Sequence, residues 1–236
     1  MAETTIPARF ADTHAASSDT TRWRVVGALG LSHVGVMLAA FALEGVASAE
    51  HGKPASSVLH TYASASMTRV ELASYVEAMA FLPLLAALVV LVGLLSRTET
   101  GRTAGQVALG LGVAYVASTF AVGFPPLTAA VYAAHHGVDA ATLATVNDIR
   151  NYGFLLQVAL SAALALALGV AAIAERTLLR WLGWGGVGVG ALGIVAAPFA
   201  HNAVSMVWLV WWVGVSVLCL KGGARLTRMR SMARNG

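Results

Sequence analysis

Residues 145–174 read TVNDIRNYGFLLQVALSAALALALGVAAIA. A polar head, Asn147-Asp148-Ile149-Arg150-Asn151-Tyr152, runs directly into the apolar segment 153–174. A bilayer needs ~20 apolar residues in a helix that rises ~1.5 Å per residue, and this segment meets that length. A carboxylate and a guanidinium therefore stand at the mouth of a membrane helix. Arg150, Gln157 and Ser161 follow at spacings of 7 and 4, which puts them on one helix face. Lipid offers such a face no hydrogen-bond partner, so it is expected to point into a bundle or a wet cavity.

Composition extends this reading to the whole chain. Of 236 residues, 58% are hydrophobic and only 11% charged, where a soluble domain carries about 25% charged residues. The expected fold is all-α, an integral membrane bundle of six helices. The spans fall at about 23–46, 72–95, 104–133, 153–174, 181–198 and 203–220. Residues 1–21 carry no apolar run of a cleaved signal and read as a disordered tail. Residues 221–236 read as a basic tail. Segment 47–69 reads either as a plain loop or as a short surface helix acting as a lid. Phe124-Pro125-Pro126 must kink or end its helix.

Charge placement orients the bundle. With both termini cytoplasmic, the inner segments hold 12 of the 15 Lys and Arg residues. Only Lys53, Arg69 and Arg150 fall outside. Excess Lys and Arg on the cytoplasmic side is the rule for such proteins. The basic character is thus a topological signature, not one of nucleic-acid binding. The expected location is a bacterial inner (plasma) membrane, crossed several times. Arg22, Trp23 and Arg24 are expected at its inner interface.

The single cysteine, Cys219, excludes an internal disulfide and a cysteine metal site. The sequence has no glycine-rich phosphate loop, no His-Glu-x-x-His and no Cys-x-x-Cys. His33 and His201 stand at different depths, which argues against a haem pair. No cofactor and no metal are expected.

The costly side chains gather in the outer half. Glu44, Glu77 and Asp148 are the candidate acids. His33, Met37, Phe41 and Glu44 recur at helical spacing on the first span. His201, Ser205, Trp208 and Trp212 do so on the sixth, and Tyr115, Ser118 and Thr119 add hydroxyls. The candidate binding set is His33, Arg150, Asn151, Tyr152, Gln157, His201, Trp208 and Trp212. Each has a structural alternative: an interhelical ion pair for Glu44 and Glu77, a helix cap for Asp148, and packing for the tryptophans. Gly186 and Gly190, four apart in the fifth span, are expected either to pack tightly within the bundle or to form a seam between copies.

Asp148-Ile-Arg-Asn151-Tyr-Gly153-Phe-Leu-Leu-Gln157, followed by Leu168-Gly169 and then Leu179-Arg180-Trp-Leu182-Gly183, resembles a family of uncharacterised bacterial six-span membrane proteins. That family opens one helix with Asp-x-x-Asn-x-Gly and the next with Leu-x-x-Leu-Gly. The likeness covers about residues 145–195. It departs at span two, where Tyr75 stands at the family's acid position. The resemblance implies the fold. In size, span number and buried acids the chain is also similar to small membrane-bound terpene cyclases, which protonate isoprenoids with carboxylic acids.

The expected function is acid–base isomerisation or cyclisation of a hydrophobic isoprenoid or lipid in an outer-half pocket. Buried carboxyls would supply the proton, and Trp208 and Trp212 would face developing positive charge. The alternatives are an accessory subunit of a membrane complex and a small proton-coupled transporter.

Overall fold

A computed structural model describes residues 8–45, 49–176 and 180–232. They form seven helices: α1 (Ala8–Glu44), α2 (Ala55–Ser64), α3 (Met67–Leu94), α4 (Glu99–Val122), α5 (Phe124–His135), α6 (Ala140–Ala174) and α7 (Arg180–Met232). There is no strand among the described residues. Five segments are long and apolar enough to cross a bilayer: 18–44, 67–94, 99–135, 140–174 and 180–223.

Local chemistry sets several boundaries. The Thr98 hydroxyl accepts from Gly101 N at 2.9 Å and starts α4. The Asp139 carboxylate accepts from Ala141 N and Thr142 N at 3.0 and 2.9 Å and starts α6. That cap begins the helix well ahead of the expected start at 153, so Asp148 is an interior residue and not a cap. At ~1.5 Å per residue, the 35 residues of α6 outreach the hydrocarbon layer. Gly123, at φ −92° and ψ −86°, separates α4 from α5 just before Phe124-Pro125-Pro126. The prolines sit in the first turn of α5, where a missing N–H costs nothing.

The last membrane segment departs from expectation. Its 44 residues are about twice the length of one crossing. In place of a loop at His201-Asn202, one residue, Ala200 (φ −144°, ψ 40°), leaves the helix two positions after Pro198. The arms 180–199 and 201–223 fold back on each other. Trp211 Nε1 on the second arm donates to Leu182 O on the first at 3.0 Å.

The tails also differ from expectation. The stretch expected to be disordered is helical from Ala8, and residues 1–7 lie outside the described residues. At the other end α7 runs on to Met232, through most of the expected tail. Trp23 is fully buried within the bundle, whereas Trp181 and Trp184 on the first arm of α7 are exposed near the same end. The surface segment contains a helix: α2, anchored by buried Val58 and Tyr62.

The long helices close a ring in which α1 contacts α3, α3 contacts α4, α4 contacts α6, α6 contacts α7, and α7 returns to α1. Lipid supplies no hydrophobic force between helices, so close backbone approach must hold them. Glycines provide it. A Cβ on Gly186 would lie 2.8 Å from Ala165 O, and one on Gly190 would lie 2.6 Å from Ala162 O. Gly169 of α6 answers from the other side, 2.6 Å from Gly183 O. The glycines considered for a seam between copies therefore face α6 within the chain. Gly27 lets α1 approach the second arm of α7, where a Cβ would meet Leu220 N and Ser216 O at 2.5 Å.

The core fills one end of the ring. Leu84, Leu88, Leu91 and Leu94 of α3 pack with Trp23, Leu164 and Trp212. There Glu175 at the C-terminus of α6, its side chain 0% exposed, locks onto the α3–α4 turn. Its carboxylate accepts from Arg97 N, Arg97 Nε, Thr98 N and Thr98 Oγ1 at 2.8–3.1 Å. A second cluster, under α2, closes the opposite end through Tyr62, Val70, Leu127, Val131 and Leu143. The outward surface carries Leu82, Val89, Val113, Leu192, Val195, Phe199 and Val210, all exposed. This apolar girdle and the spanning lengths define a multi-pass membrane protein.

Gly190→Ala is expected to cost about 1–3 kcal/mol by overpacking the α6 seam. Gly188→Ala, with nothing within 4 Å of its Cβ position, is expected to be neutral or slightly stabilising. Thermal unfolding of both variants in detergent checks the pair.

Candidate functional site

Between the two clusters lies a cavity of about 840 Å³. Every long element contributes a wall: α1 with His33, Met37, Phe41 and Glu44; α3 with Glu77 and Phe81; α4 and α5 with Tyr115, Thr119 and Phe124; α6 with Arg150, Gln157 and Ser161; α7 with Pro198, His201 and Trp208. The helix periods explain these walls. His33, Met37, Phe41 and Glu44 share a face of α1, and Arg150, Gln157 and Ser161 share a face of α6. The break at Ala200 carries the chain from the Pro198 wall to the His201 wall.

The floor is aromatic. The Phe81 ring lies 5.5 Å from Tyr115, 6.0 Å from Phe124 and 5.6 Å from His33. Trp208 stands 6.0 Å from Tyr115 and 6.2 Å from His33. His33 Nδ1–H donates to Ala80 O at 2.8 Å. The free carbonyl left by Pro83, which has no N–H to return to α3, is not that of Ala80 but lies one residue earlier, at Met79, so this bond adds a second use to a ladder carbonyl. With Nδ1 fixed as the donor, Nε2 is the nitrogen left for other work.

Charge collects above the floor. Arg150 Nη2 lies 3.4 Å from Glu44 Oε1, and both groups are largely buried. Glu77 is within electrostatic reach of both, yet no described residue donates a hydrogen bond to it. Three further lining residues hold buried nitrogens without a partner among the described residues: Gln157 Nε2, His201 Nδ1 and Trp208 Nε1. These atoms have essentially no accessible surface, and Trp23 and Trp212, away from the cavity, hold indole nitrogens in the same state, so they belong to the packing behind the cavity wall.

The mouth is tied by side chains. Asn151 Nδ2 donates to Ala49 O and Asn147 O at 3.2 and 2.9 Å. Tyr62 Oη donates to Asn147 Oδ1 at 2.8 Å, which fastens α2 to α6. His51 Nδ1 donates to Asp148 Oδ1 at 2.9 Å, and Tyr152 Oη lies 3.4 Å from His51 Nε2.

Nine of the eleven expected site residues line the cavity: Glu44, Glu77, His33, Arg150, Asn151, Tyr152, Gln157, His201 and Trp208. Asp148 does not. Two residues before Arg150 it points to another side of α6, and it sits half-exposed at the rim against His51. Trp212 does not either. It is 0% exposed and stacks behind Trp208, with ring centroids 6.1 Å apart. Phe81, central to the floor, was not among the expected residues, although it follows Glu77 by one helical turn. His51 lies in a loop, where no periodicity points to it.

Compared with family models, curated proteins and solved structures, the chain shows no match. Its class is thus set by its own architecture: a multi-pass helical membrane protein enclosing a polar, aromatic-floored cavity.

Burial of the Tyr62 phenol raises its pKa above the ordinary tyrosine range, against the lowering influence of Arg150. The unfolded chain ionises its tyrosines near pH ~10, so stability from Tyr62 is complete below that pH and is lost as pH rises through it toward the folded value. Tyr62→Phe is expected to lower stability at pH 7 by about 1–3 kcal/mol, by orphaning Asn147 Oδ1. It is also expected to flatten the alkaline loss. Unfolding midpoints measured from neutral to alkaline pH check both effects.

Proposed function

We propose that the chain crosses a bacterial inner membrane six times with both termini cytoplasmic, and that its cavity performs acid–base isomerisation or cyclisation on a hydrophobic isoprenoid or lipid. The six crossings count the two arms of α7 separately. The orientation rests on Arg22, Arg97, Arg102, Arg176, Arg180 and Lys221, which the alternating helix directions bring to one end of the bundle.

The observation that carries the chemistry is Glu77. It is a carboxyl group on the cavity wall with no hydrogen-bond donor among the described residues, over rings able to face positive charge. In the proposed step, the Glu77 O–H proton goes to one carbon of a substrate double bond, whose π pair forms the new C–H bond. The neighbouring carbon becomes a cation, facing Phe81, Tyr115 and Trp208. A second double bond can supply the pair that closes a ring. Loss of an adjacent proton to the Glu44 carboxylate, positioned by Arg150, leaves a new C=C bond. Release of that proton to water from Glu44 and uptake of one from water by Glu77 restore the site. Atoms and charge balance without a co-reactant, and product and substrate have the same mass.

In D2O each turnover deposits deuterium from the acid into the product. Purified protein given polyprenyl and phospholipid fractions in D2O is expected to raise the mass of one lipid species. Glu77→Gln is expected to lower that incorporation by about 100-fold or more, while Asp148→Asn stays near the wild-type rate. Absence of wild-type incorporation across all fractions, or full activity in Glu77→Gln, would overturn the reading.

A further inference from the structure

The ring of helices is not equally tight from end to end. Near the chain termini, α1 and the second arm of α7 meet backbone to backbone. A Cβ on Gly27 would lie 2.5 Å from Leu220 N and Ser216 O, and one on Gly30 would strike the Ser216 side chain. These contacts set the register of two antiparallel helices. One turn further along α1, His33 stands against Trp208, with ring centroids 6.2 Å apart. The same register, continued, brings Met37, Phe41 and Glu44 to the levels of Leu209, Ser205 and His201. All six line the cavity. Over this stretch the cavity therefore reaches between two neighbouring helices of the ring.

Exposure supports the same opening. Phe41 and Met206 line the cavity, yet they are 43% and 51% exposed. The cavity alone does not account for this, because His33, Phe81 and Thr119 line it and none is more than 3% exposed. Each of the two residues also borders the apolar girdle. Phe41 lies one turn from exposed Leu38, and Met206 one turn from exposed Val210. The slot changes character along its length. Met37, Phe41, Met206 and Leu209 are apolar, and Glu44 and Asn202 stand toward the rim. A lipid leaflet has the same order, from tails to headgroups. The Arg150–Glu44 pair ties α1 to α6 at the rim.

We propose that the slot between α1 and the second arm of α7 is a lateral portal, through which the hydrocarbon tail of a lipid in the leaflet away from the chain termini enters the cavity. The bilayer itself supplies the occupant, since hydrocarbon chains surround an apolar gap at this depth. The portal concerns the route and not the reaction, and it deepens the functional reading above by having the substrate delivered from the membrane.

The test uses the full chain in phosphatidylcholine liposomes that include phosphatidylcholine with a mid-chain diazirine. Under light the diazirine loses N2, and the carbene inserts into an X–H bond of the residue it touches. Peptide mass spectrometry locates the adducts. In wild-type protein adducts are expected on girdle residues Leu192 and Val195, and also on Glu77 and Tyr115 of the cavity walls. Met206→Trp, which narrows the slot, is expected to lose the cavity adducts and keep those on the girdle. Phe41→Trp narrows it from the other helix and is expected to do the same. Wild-type protein labelled on the girdle but not in the cavity would overturn the portal, and that result needs no variant to fold. Cavity adducts that persist in both variants would overturn it too. The two proposals also fail separately. Cavity labelling without deuterium incorporation would sink the enzyme and keep the portal. Deuterium incorporation that Met206→Trp leaves at the wild-type rate would sink the portal and keep the enzyme.

Discussion

The backbone seam between α6 and α7 is the constraint on which the bundle depends. Hydrocarbon tails compete equally for apolar side chains, so burial alone does not hold two helices together in a membrane. Gly169, Gly183, Gly186 and Gly190 remove the side chains and let main chains meet. With the first arm of α7 pinned to α6, the break at Ala200 returns the second arm alongside. Trp211 then fixes the hairpin by bonding Leu182 O. Trp208, one turn earlier on that arm, is thereby set at the cavity floor. His201 is set higher on the same arm. A site wall thus follows from a packing device that has no chemistry of its own.

Two carboxyl groups show how the molecule separates structure from chemistry. Glu175 has no exposed side-chain surface, yet four protein donors surround its oxygens. Such a group is a fastener: its desolvation is offset by directed hydrogen bonds, and it ties α6 to the α3–α4 turn. Glu77 faces the cavity with no donor among the described residues. A polar group left unsatisfied away from bulk water costs stability. Packing gives no reason to keep it, because an apolar side chain would fill the wall at lower cost. The contrast between the two carboxyls is what the proposed role of Glu77 as the acid rests on.

Much of this was legible as period and position. Spacing of 3, 4 and 7 placed His33, Met37, Phe41 and Glu44 on one face and Arg150, Gln157 and Ser161 on another, and both faces line the cavity. Period alone reports direction around a helix, not what stands in front of each turn. Trp208 and Trp212 share a face, but Trp208 meets the cavity and Trp212 meets Trp208. The tandem prolines marked a helix boundary because their effect is local. The Asp139 cap was hidden by distance: the apolar signal begins about four turns after the cap. Segment 47–69 holds α2, one of the two readings its sequence allows, and the mouth residue His51, whose loop leaves no periodic signal.

Asp148 marks the sharpest limit of reading acids by composition. Two residues from Arg150 in sequence, it reads as a candidate acid of the same site or as a helix cap. At 100° per residue, a two-residue step turns it by about 200°, nearly to the opposite side of α6. There it meets His51 at the exposed rim, while Arg150 reaches inward to Glu44. The useful pairing was not between neighbours in the chain but between α1 and α6, residues 106 apart. Sequence could place each partner on its own helix face. Only the closed ring, which sets those faces opposite each other, makes them a pair, with Glu77 beside them on the cavity wall.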